Sequence, residues 1–314
     1  MSLYLVTGGA GFVGSYLVRF LLDKGESVRV IDNFSTGKRE NLEEVTSRIE
    51  LVEGDLNDRQ AVVAAVDGAD FVFHEAAIPS VPRSVENPME SHEANASATL
   101  VLLQEAREAG VRRLVYASSS SVYGANPELP KVESMRTEPL SPYAVAKLAA
   151  EHYCLVFHNL YGLETVALRY FNVFGPRQDP NSPYSGVVSR FIDAIVSNTP
   201  PIIHGDGEQT RDFTYVDNVA RANFGACHEA AAGGGVYNIG CQTRISVNEL
   251  WNTMAELTGS HLEPKREPAR AGDVPHSLAD IAAARRDLGF DPYIGIREGL
   301  EKTLSFYIPS SASS

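Results

Sequence analysis

A doubly wound parallel sheet of the α/β class is what the first 171 residues predict, and three observations carry that prediction. Short β-rich runs alternate with longer segments. The segments between most of them have the period of helices. A glycine-rich turn joins the first run to the first of those segments. Strand and helix in alternation give right-handed βαβ crossovers and a parallel sheet with both faces covered.

Taken in order, LYLVT (3–7) reads as a strand, FVGSYLVRFLLDKG as the helix after it, and SVRVI (27–31), IELVEG (49–54) and DFVFH (70–74) as further strands. The stretch from Met89 to Gly110 has helical period, RRLVYASS (112–119) reads as the fifth strand and ETVALRYF (164–171) as the sixth. Past Phe171 the rhythm breaks. NVFGPRQDPNSPYSG is rich in Pro, Gly and Asn and reads as a loop, and beyond it helices and short strands mix without a clean repeat. A smaller second lobe is expected there. Residues 1–170, with a returning segment at about 213–240, are assigned to the first domain, and 171–212 and 241–308 to the lobe; 309–314 are expected to be a disordered tail.

Composition narrows the partners. A net charge of −13 repels nucleic acid and anionic membranes, both of which need a basic face to replace their counterions. No apolar run approaches the roughly 18 residues of a membrane span, and no charged leader precedes one. The chain is therefore read as soluble and cytoplasmic. Its three cysteines, Cys154, Cys227 and Cys241, lie far apart without a C-x-x-C pair, which argues for a reducing compartment and against a disulfide frame or a metal site.

The opening turn, TGGAGFVGS, places Gly9, Gly11 and Gly14 at G-x-G-x-x-G spacing between a strand and a helix. Free backbone N–H groups at such a helix start can hold a pyrophosphate, and the missing side chains let the backbone approach it. Asp32 ends the second strand 21 positions after Gly11, the usual distance for a carboxylate that bonds an adenosine ribose; it repels a 2′-phosphate and so favours NAD over NADP. Lys38 and Arg39 stand near enough to leave NADP open. Asp55, ending the third strand, has two readings, contact with the adenine edge or the N-cap of the next helix.

Chemistry is concentrated in SPYAVAKLAAE, where Tyr143 and Lys147 are four residues apart and share one helix face. An ammonium beside a phenol, joined by a cationic nicotinamide, is expected to bring the phenol down from about 10 toward neutrality, where it can act as a base. ASSSSVYG (117–124) lies at the carboxyl end of a strand, where open α/β sheets place ligands, and its hydroxyls could bond the same substrate oxygen.

TGGAGFVG, the serine cluster and YAVAK together resemble the extended short-chain dehydrogenase/reductase family, and within it the nucleotide-sugar epimerases, over essentially the whole chain to about Tyr307. The resemblance implies a Rossmann domain with NAD as cofactor, held by Gly8, Gly11, Phe12, Val13, Asp32, Asn33, Ser35, Thr36, Gly37, Asp55 and Leu56. It adds Ala76 and Ala77 of HEAA, Asn95, Tyr143, Lys147 and Tyr170. For a UDP-sugar it implies Ser80, Arg83, Ser119, Ser120, Tyr143, Asn172, Val188, Arg211, Arg270, Asp273 and Ser277. A homodimer built through the helices around 89–110 and 141–160 is implied as well. Relatives that dehydrate carry Asp-Glu, and those that decarboxylate a Glu, immediately before V-Y-G; here Ser119, Ser120 and Ser121 fill that segment. The reaction implied is therefore C4 epimerisation, with Tyr143 as base, Ser119 on the same oxygen and Lys147 on the cofactor ribose. Ser277 stands where epimerases restricted to UDP-glucose carry a tyrosine, so N-acetylated hexoses are expected to be tolerated beside plain ones. Epimerisation of UDP-glucuronate, a dehydratase, a decarboxylase and a non-catalytic NAD sensor stay open as alternatives.

Overall fold

The structure is a computed structural model and describes residues 1–179, 186–269 and 274–308. The first part of the chain runs β1 (Leu3–Thr7), α1 (Phe12–Asp23), β2 (Ser27–Asp32), β3 (Ile49–Glu53), α2 (Arg59–Val66), β4 (Phe71–His74), α3 (Val81–Glu86), α4 (Pro88–His92), α5 (Ala98–Glu108), β5 (Arg113–Ser119), α6 (Pro142–Tyr161) and β6 (Glu164–Tyr170). Then come β7 (Val173–Phe174), α7 (Val187–Val196), β8 (Ile202–His204), β9 (Thr210–Asp212), β10 (Thr214–Tyr215), α8 (Val216–His228), β11 (Val236–Ile239), β12 (Arg244–Ser246), α9 (Val247–Thr258), β13 (Lys265–Glu267), α10 (Ala282–Leu288) and α11 (Ile296–Tyr307).

Seven strands form one parallel sheet in the order β11-β6-β5-β4-β1-β2-β3. Successive side chains of a strand point to opposite faces. Tyr4 and Val6 accordingly enter a core shared with Leu17 of α1 and Val219 of α8, while Leu5 enters a second core with Val62, Leu102 and Ala150 of α2, α5 and α6. β1 pairs with β2 on one side and β4 on the other, so the chain reverses its direction of travel there and a crevice opens above the carboxyl ends of β1 and β4. The expected sheet is thus present, with β11 as a seventh strand arriving from beyond the loop region.

Local sequence explains the helix ends that matter for the site. Ser141 caps α6 by accepting from the Ala144 N–H at 3.2 Å, Pro142 opens its first turn, and Gly162, at φ 73°, closes it in the left-handed region. The stretch from Met89 to Gly110 is not one helix. A wide π turn at Glu93–Ser97 separates α4 from α5, and Asn95 within it turns its amide to the Ser91 carbonyl and the Ile78 N–H.

Beyond the large sheet, three two-stranded ladders, β10 with β7, β12 with β9 and β13 with β8, surround a separate core. That core holds Phe174, Phe191, Trp251, Met254 and Leu300, with the Phe191 and Trp251 rings 5.3 Å apart. Cys154, Cys227 and Cys241 are free thiols. Among the described residues no helix is long and apolar enough to cross a membrane.

Candidate active site

The crevice is the mouth of a cavity of about 1440 Å³ that runs from Asp32 past the glycine turn to Tyr143 and on to Ser277. That exceeds the several hundred Å³ of a common single-ligand pocket and leaves room for two ligands end to end.

At one end, Gly11 caps α1 with no side-chain hydrogen bond, and the first turn holds no acidic residue. Its N–H groups therefore face the cavity mouth with the positive end of the helix behind them. The turn is pressed close to its neighbours: a Cβ on Gly14 would stand 2.2 Å from the Gly8 carbonyl oxygen, and one on Gly8, itself at φ 66°, would stand 2.7 Å from the Ala76 backbone. Asp32 is buried. It accepts from the Ala10 N–H at 2.9 Å and the Phe34 N–H at 2.8 Å, and burial raises its carboxyl pKa against those two bonds. A carboxylate has about four acceptor sites, so two remain for a diol. The cations that left a 2′-phosphate open have acidic neighbours: Lys38 pairs with Asp179 at 3.0 Å and Arg39 with Glu53 at 2.7 Å. Asp55 accepts from Asn33 Nδ2 and the Asn57 N–H, and the N-cap of α2 is Asp58, which takes the Gln60 N–H at 3.0 Å. The N-cap reading of Asp55 is thereby corrected. These groups fit a dinucleotide.

At the other end β5 delivers Ser119 and α6 delivers Tyr143 and Lys147 to one wall. Ser119 Oγ accepts from the Ser121 N–H at 3.2 Å and from Ser121 Oγ at 2.9 Å, and it shares the wall with the Tyr143 phenol. Lys147 is 3% exposed and donates from Nζ to the Ala117 carbonyl at 2.9 Å, 5.0 Å above the Tyr116 ring. Burial pulls its pKa down to about 8, against the attraction of Glu75. The phenol does not behave as the sequence suggested. Burial pushes Tyr143 up to about 12, and the neighbouring Ser119 hydroxyl acts the other way but by less.

Beneath this wall lies a buried ion pair. Glu151, one turn beyond Lys147, takes the Ser118 hydroxyl at 2.6 Å and both Arg169 Nε and Nη2, at 3.0 and 2.6 Å. Arg169 Nη1 continues to Tyr123 Oη at 2.9 Å, and Tyr123 to Asn238 Oδ1 at 2.7 Å. The network fastens β5, α6 and β6 to one another directly under Ser119.

Nearly all of the residues singled out in the sequence line this cavity. Gly8, Phe12, Val13, Asn33, Ser35, Thr36, Gly37, Leu56, Ala76, Ala77 and Tyr170 are on its wall, as are Ser80, Arg83, Ser120, Asn172, Arg211 and Ser277. Ser80 caps α3, and Arg83 pairs with Glu90 through both Nε and Nη2. Asn172, at φ 35°, donates to the Asp212 carbonyl at 2.9 Å. Ser277 is pinned through its N–H to the Thr210 carbonyl at 3.0 Å, beside Arg211, which donates to the Pro275 carbonyl at 3.1 Å. Two residues fall elsewhere. Val188 is 3% exposed in the lobe core with Phe174 and Phe191, and Asn95 is committed to backbone groups behind the wall, so neither is brought to the cavity. Arg270 and Asp273 lie outside the described residues, as does the tail from 309.

Three groups went unread in the sequence. His74 is fully buried between Thr7 Oγ1 and Thr99 Oγ1, both at 2.8 Å; burial lowers its pKa to about 3, so it stays neutral and holds the Thr7 hydroxyl that receives the Ala76 N–H. Because Thr99 donates to the Asn95 carbonyl, the network assigns the ring proton to Nε2. Asp212 is fully buried, ties the Cys241 and Ala279 N–H groups to β9 beside Arg211, and is raised to about 6 by burial. Glu75, next to His74, lines the cavity itself.

Residues 4–240 match the family described as the NAD dependent epimerase/dehydratase family. The chain is 40% identical over 307 residues to a UDP-glucose 4-epimerase of Mycolicibacterium smegmatis, covering 96% of this chain and 97% of that one. It is 35% identical to a UDP-glucuronate 4-epimerase of Thermodesulfobacterium geofontis over 98% of this chain and 96% of the relative. Among solved structures, the UDP-N-acetylglucosamine 4-epimerase of Methanobrevibacter ruminantium M1, in complex with UDP-N-acetylmuramic acid, superposes with a TM-score of 0.93. It is 40% identical over 98% of both chains.

Proposed function

The chain belongs to the NAD dependent epimerase/dehydratase family as an enzyme of the nucleotide-sugar epimerase kind, and from that premise we propose that it inverts C4 of a UDP-hexose through a transient 4-keto sugar. One observation carries the proposal: Ser119, Tyr143 and Lys147 meet on a single wall of the cavity, and the segment before Val122 offers hydroxyls and no carboxyl. An acid at that place would help a keto sugar lose water or carbon dioxide. Without one, return to an alcohol is the open course.

The chemistry that bound NAD supplies is a reversible hydride exchange with C4, for which Gly8, Gly11, Asp32, Tyr143 and Lys147 hold the cofactor. Tyr143 Oη takes the proton of the 4-hydroxyl and gives it back. Ser119, on the same wall as that phenol, shares the sugar oxygen and keeps it within reach. A phenol lifted to about 12 by burial needs positive charge near it to lose its proton near pH 7; Lys147 supplies part of that charge, and an oxidised nicotinamide held here would supply more. Asn172 and Arg211 hold the diphosphate while the flat ketone turns over about its link and offers its other face.

In this reading residues 1–170 with 213–240 hold the cofactor, and 171–212 with 241–308 hold the UDP-sugar. A second copy of the chain covers the helices around 89–110 and 141–160, where Met89 is 64% and Leu160 72% exposed; light scattering should then report two chains per particle, and one chain would remove the homodimer.

Ser277 favours tolerance of a 2-acetamido group, because its small side chain leaves the space that a tyrosine would fill. Incubation with UDP-glucose, UDP-N-acetylglucosamine and UDP-glucuronate separately, followed by NMR, should reveal the C4 epimer of the first two. A product lacking water or carbon dioxide, or no product from any of the three, would overturn the proposal. In the same assay Ser277→Tyr should lower kcat/KM for the acetamido sugar about 5- to 160-fold, the range that overpacking by roughly 1 to 3 kcal/mol implies, and spare UDP-glucose. Equal losses on both sugars would mean that Ser277 does not gate the pocket.

A further inference from the structure

The mechanism leaves the carboxyl of Glu75 without a task, although it lines the cavity. It follows His74 at the end of β4, on the wall of the crevice between β4 and β1. Its N–H donates to the Thr7 carbonyl at 3.3 Å, and its Oε1 accepts from Tyr170 Oη at 2.8 Å, which in turn receives Asn223 Nδ2 at 2.7 Å. Lys147 lies near enough for each to shift the other's titration. Two opposite charges therefore share one cavity floor.

A dinucleotide whose adenosine end is at Asp32 and whose pyrophosphate is at the α1 start must bring its nicotinamide end to the β4 and β5 side, where Tyr143 and Lys147 stand. The oxidised ring carries one positive charge and the reduced ring none. An ammonium alone on that floor would repel the oxidised form and favour the reduced one. We propose that Glu75 offsets this bias: its carboxylate, held by Tyr170 in the same cavity as Lys147, shifts the preference of the cavity from NADH toward NAD+. The consequence for catalysis is that the resting enzyme is kept ready to accept hydride and returns it to the sugar rather than retaining it. The inference rests on the reading that NAD occupies this cavity. A purely structural Glu75, bracing Tyr170 and Asn223, would affect both cofactor forms alike.

The test is to equilibrate the protein with NAD+ and NADH in set ratios and to read the bound ratio by chromatography of the released nucleotides. Glu75→Gln keeps the shape and the acceptor for Tyr170 but removes the charge, and should move the bound ratio toward NADH by about tenfold. Asp32→Ala, acting at the far end, should weaken both forms and leave the ratio unchanged. A ratio unchanged in Glu75→Gln overturns the inference while leaving the NAD reading intact; failure of the unaltered protein to bind either form overturns both.

Should Glu75→Gln not fold, the unaltered protein gives the answer. Burial raises the Glu75 carboxyl to about 7, so it is about half charged at pH 7 and loses the rest of its charge by about pH 5.5. The ionisable groups facing it keep their charge over that interval. Lys147 on α6 titrates at about 8, Tyr170 on β6 and Tyr116 on β5 well above their ordinary range, and His74 on β4 at about 3. The bound ratio should shift toward NADH as the pH falls, and a flat ratio overturns the inference.

Discussion

Replacing Tyr143 with phenylalanine is expected to lower kcat by about a hundredfold or more, the usual size of a general-base contribution, while the protein still folds and still binds its cofactor. The ring stays: Tyr143 is 9% exposed, and phenylalanine fills the same volume against Ala144 and the β5 wall. What leaves is the oxygen that takes the proton. KM should change much less than kcat, because the diphosphate contacts lie in the other lobe. A Tyr143→Phe enzyme of near-normal rate would move the base elsewhere, and the first place to look would be Glu75, the other group in the cavity whose pKa, at about 7, suits proton transfer near neutrality.

The second large effect concerns stability. Arg169 and Glu151 have side chains only 6% and 1% exposed and are joined by two hydrogen bonds. Removing one partner leaves an uncompensated charge in the core, which typically costs about 3 to 5 kcal/mol, a large fraction of the stability of any domain. Glu151→Leu should therefore lower the midpoint of urea unfolding sharply. Glu151→Leu combined with Arg169→Met removes both charges and should recover most of that loss, since well-packed apolar side chains often replace a buried pair without net cost. If the double variant were no more stable than the single one, the loss would come from packing or from the Ser118 and Tyr123 bonds rather than from the stranded guanidinium. Catalysis should respond separately: even where the double variant is stable, Ser119 loses the bond that steadies its neighbour Ser118, so kcat should fall more than KM rises.

Why some of this was legible and some not follows from what each signal depends on. Strands β1 to β6 stand within a residue or so of their expected ends because they are short, rich in β-branched and aromatic residues and bounded by turns, so local pattern alone defines them. The spacing of Gly9, Gly11 and Gly14, and that of Tyr143 and Lys147, is likewise local, and the fold does the rest by bringing β1, β2, β5 and α6 to one crevice. The π turn at Glu93–Ser97 was not legible, since its helical pattern continues on either side of it and only the tertiary demand of Asn95 on Ile78 reveals the break. Val188 was misjudged for a similar reason: one turn of an amphipathic helix can face a ligand or a core with the same residue types. The direction of the Tyr143 shift depended on how deeply the folded chain buries the phenol, which the spacing of Tyr143 and Lys147 does not report. Glu75 had a signal, a carboxyl directly after a buried strand end in FVFHEAA, but only the position of Lys147 and Tyr170 gives that signal meaning.

The placing of β11 has a consequence for how the chain comes off the ribosome. β6 is buried on both faces, and its outer edge is paired only by Val236–Ile239, which follow the whole run from Asn172 through β10 and α8. At about 5 to 20 residues per second, several seconds pass between the synthesis of Tyr170 and that of Ile239. During that interval the nascent sheet ends in an apolar, unsatisfied strand edge, the kind of surface on which neighbouring chains aggregate. The newborn polypeptide is thus most in need of a chaperone when more than half of it has already been made, and a pause in translation within α8 would prolong that exposure.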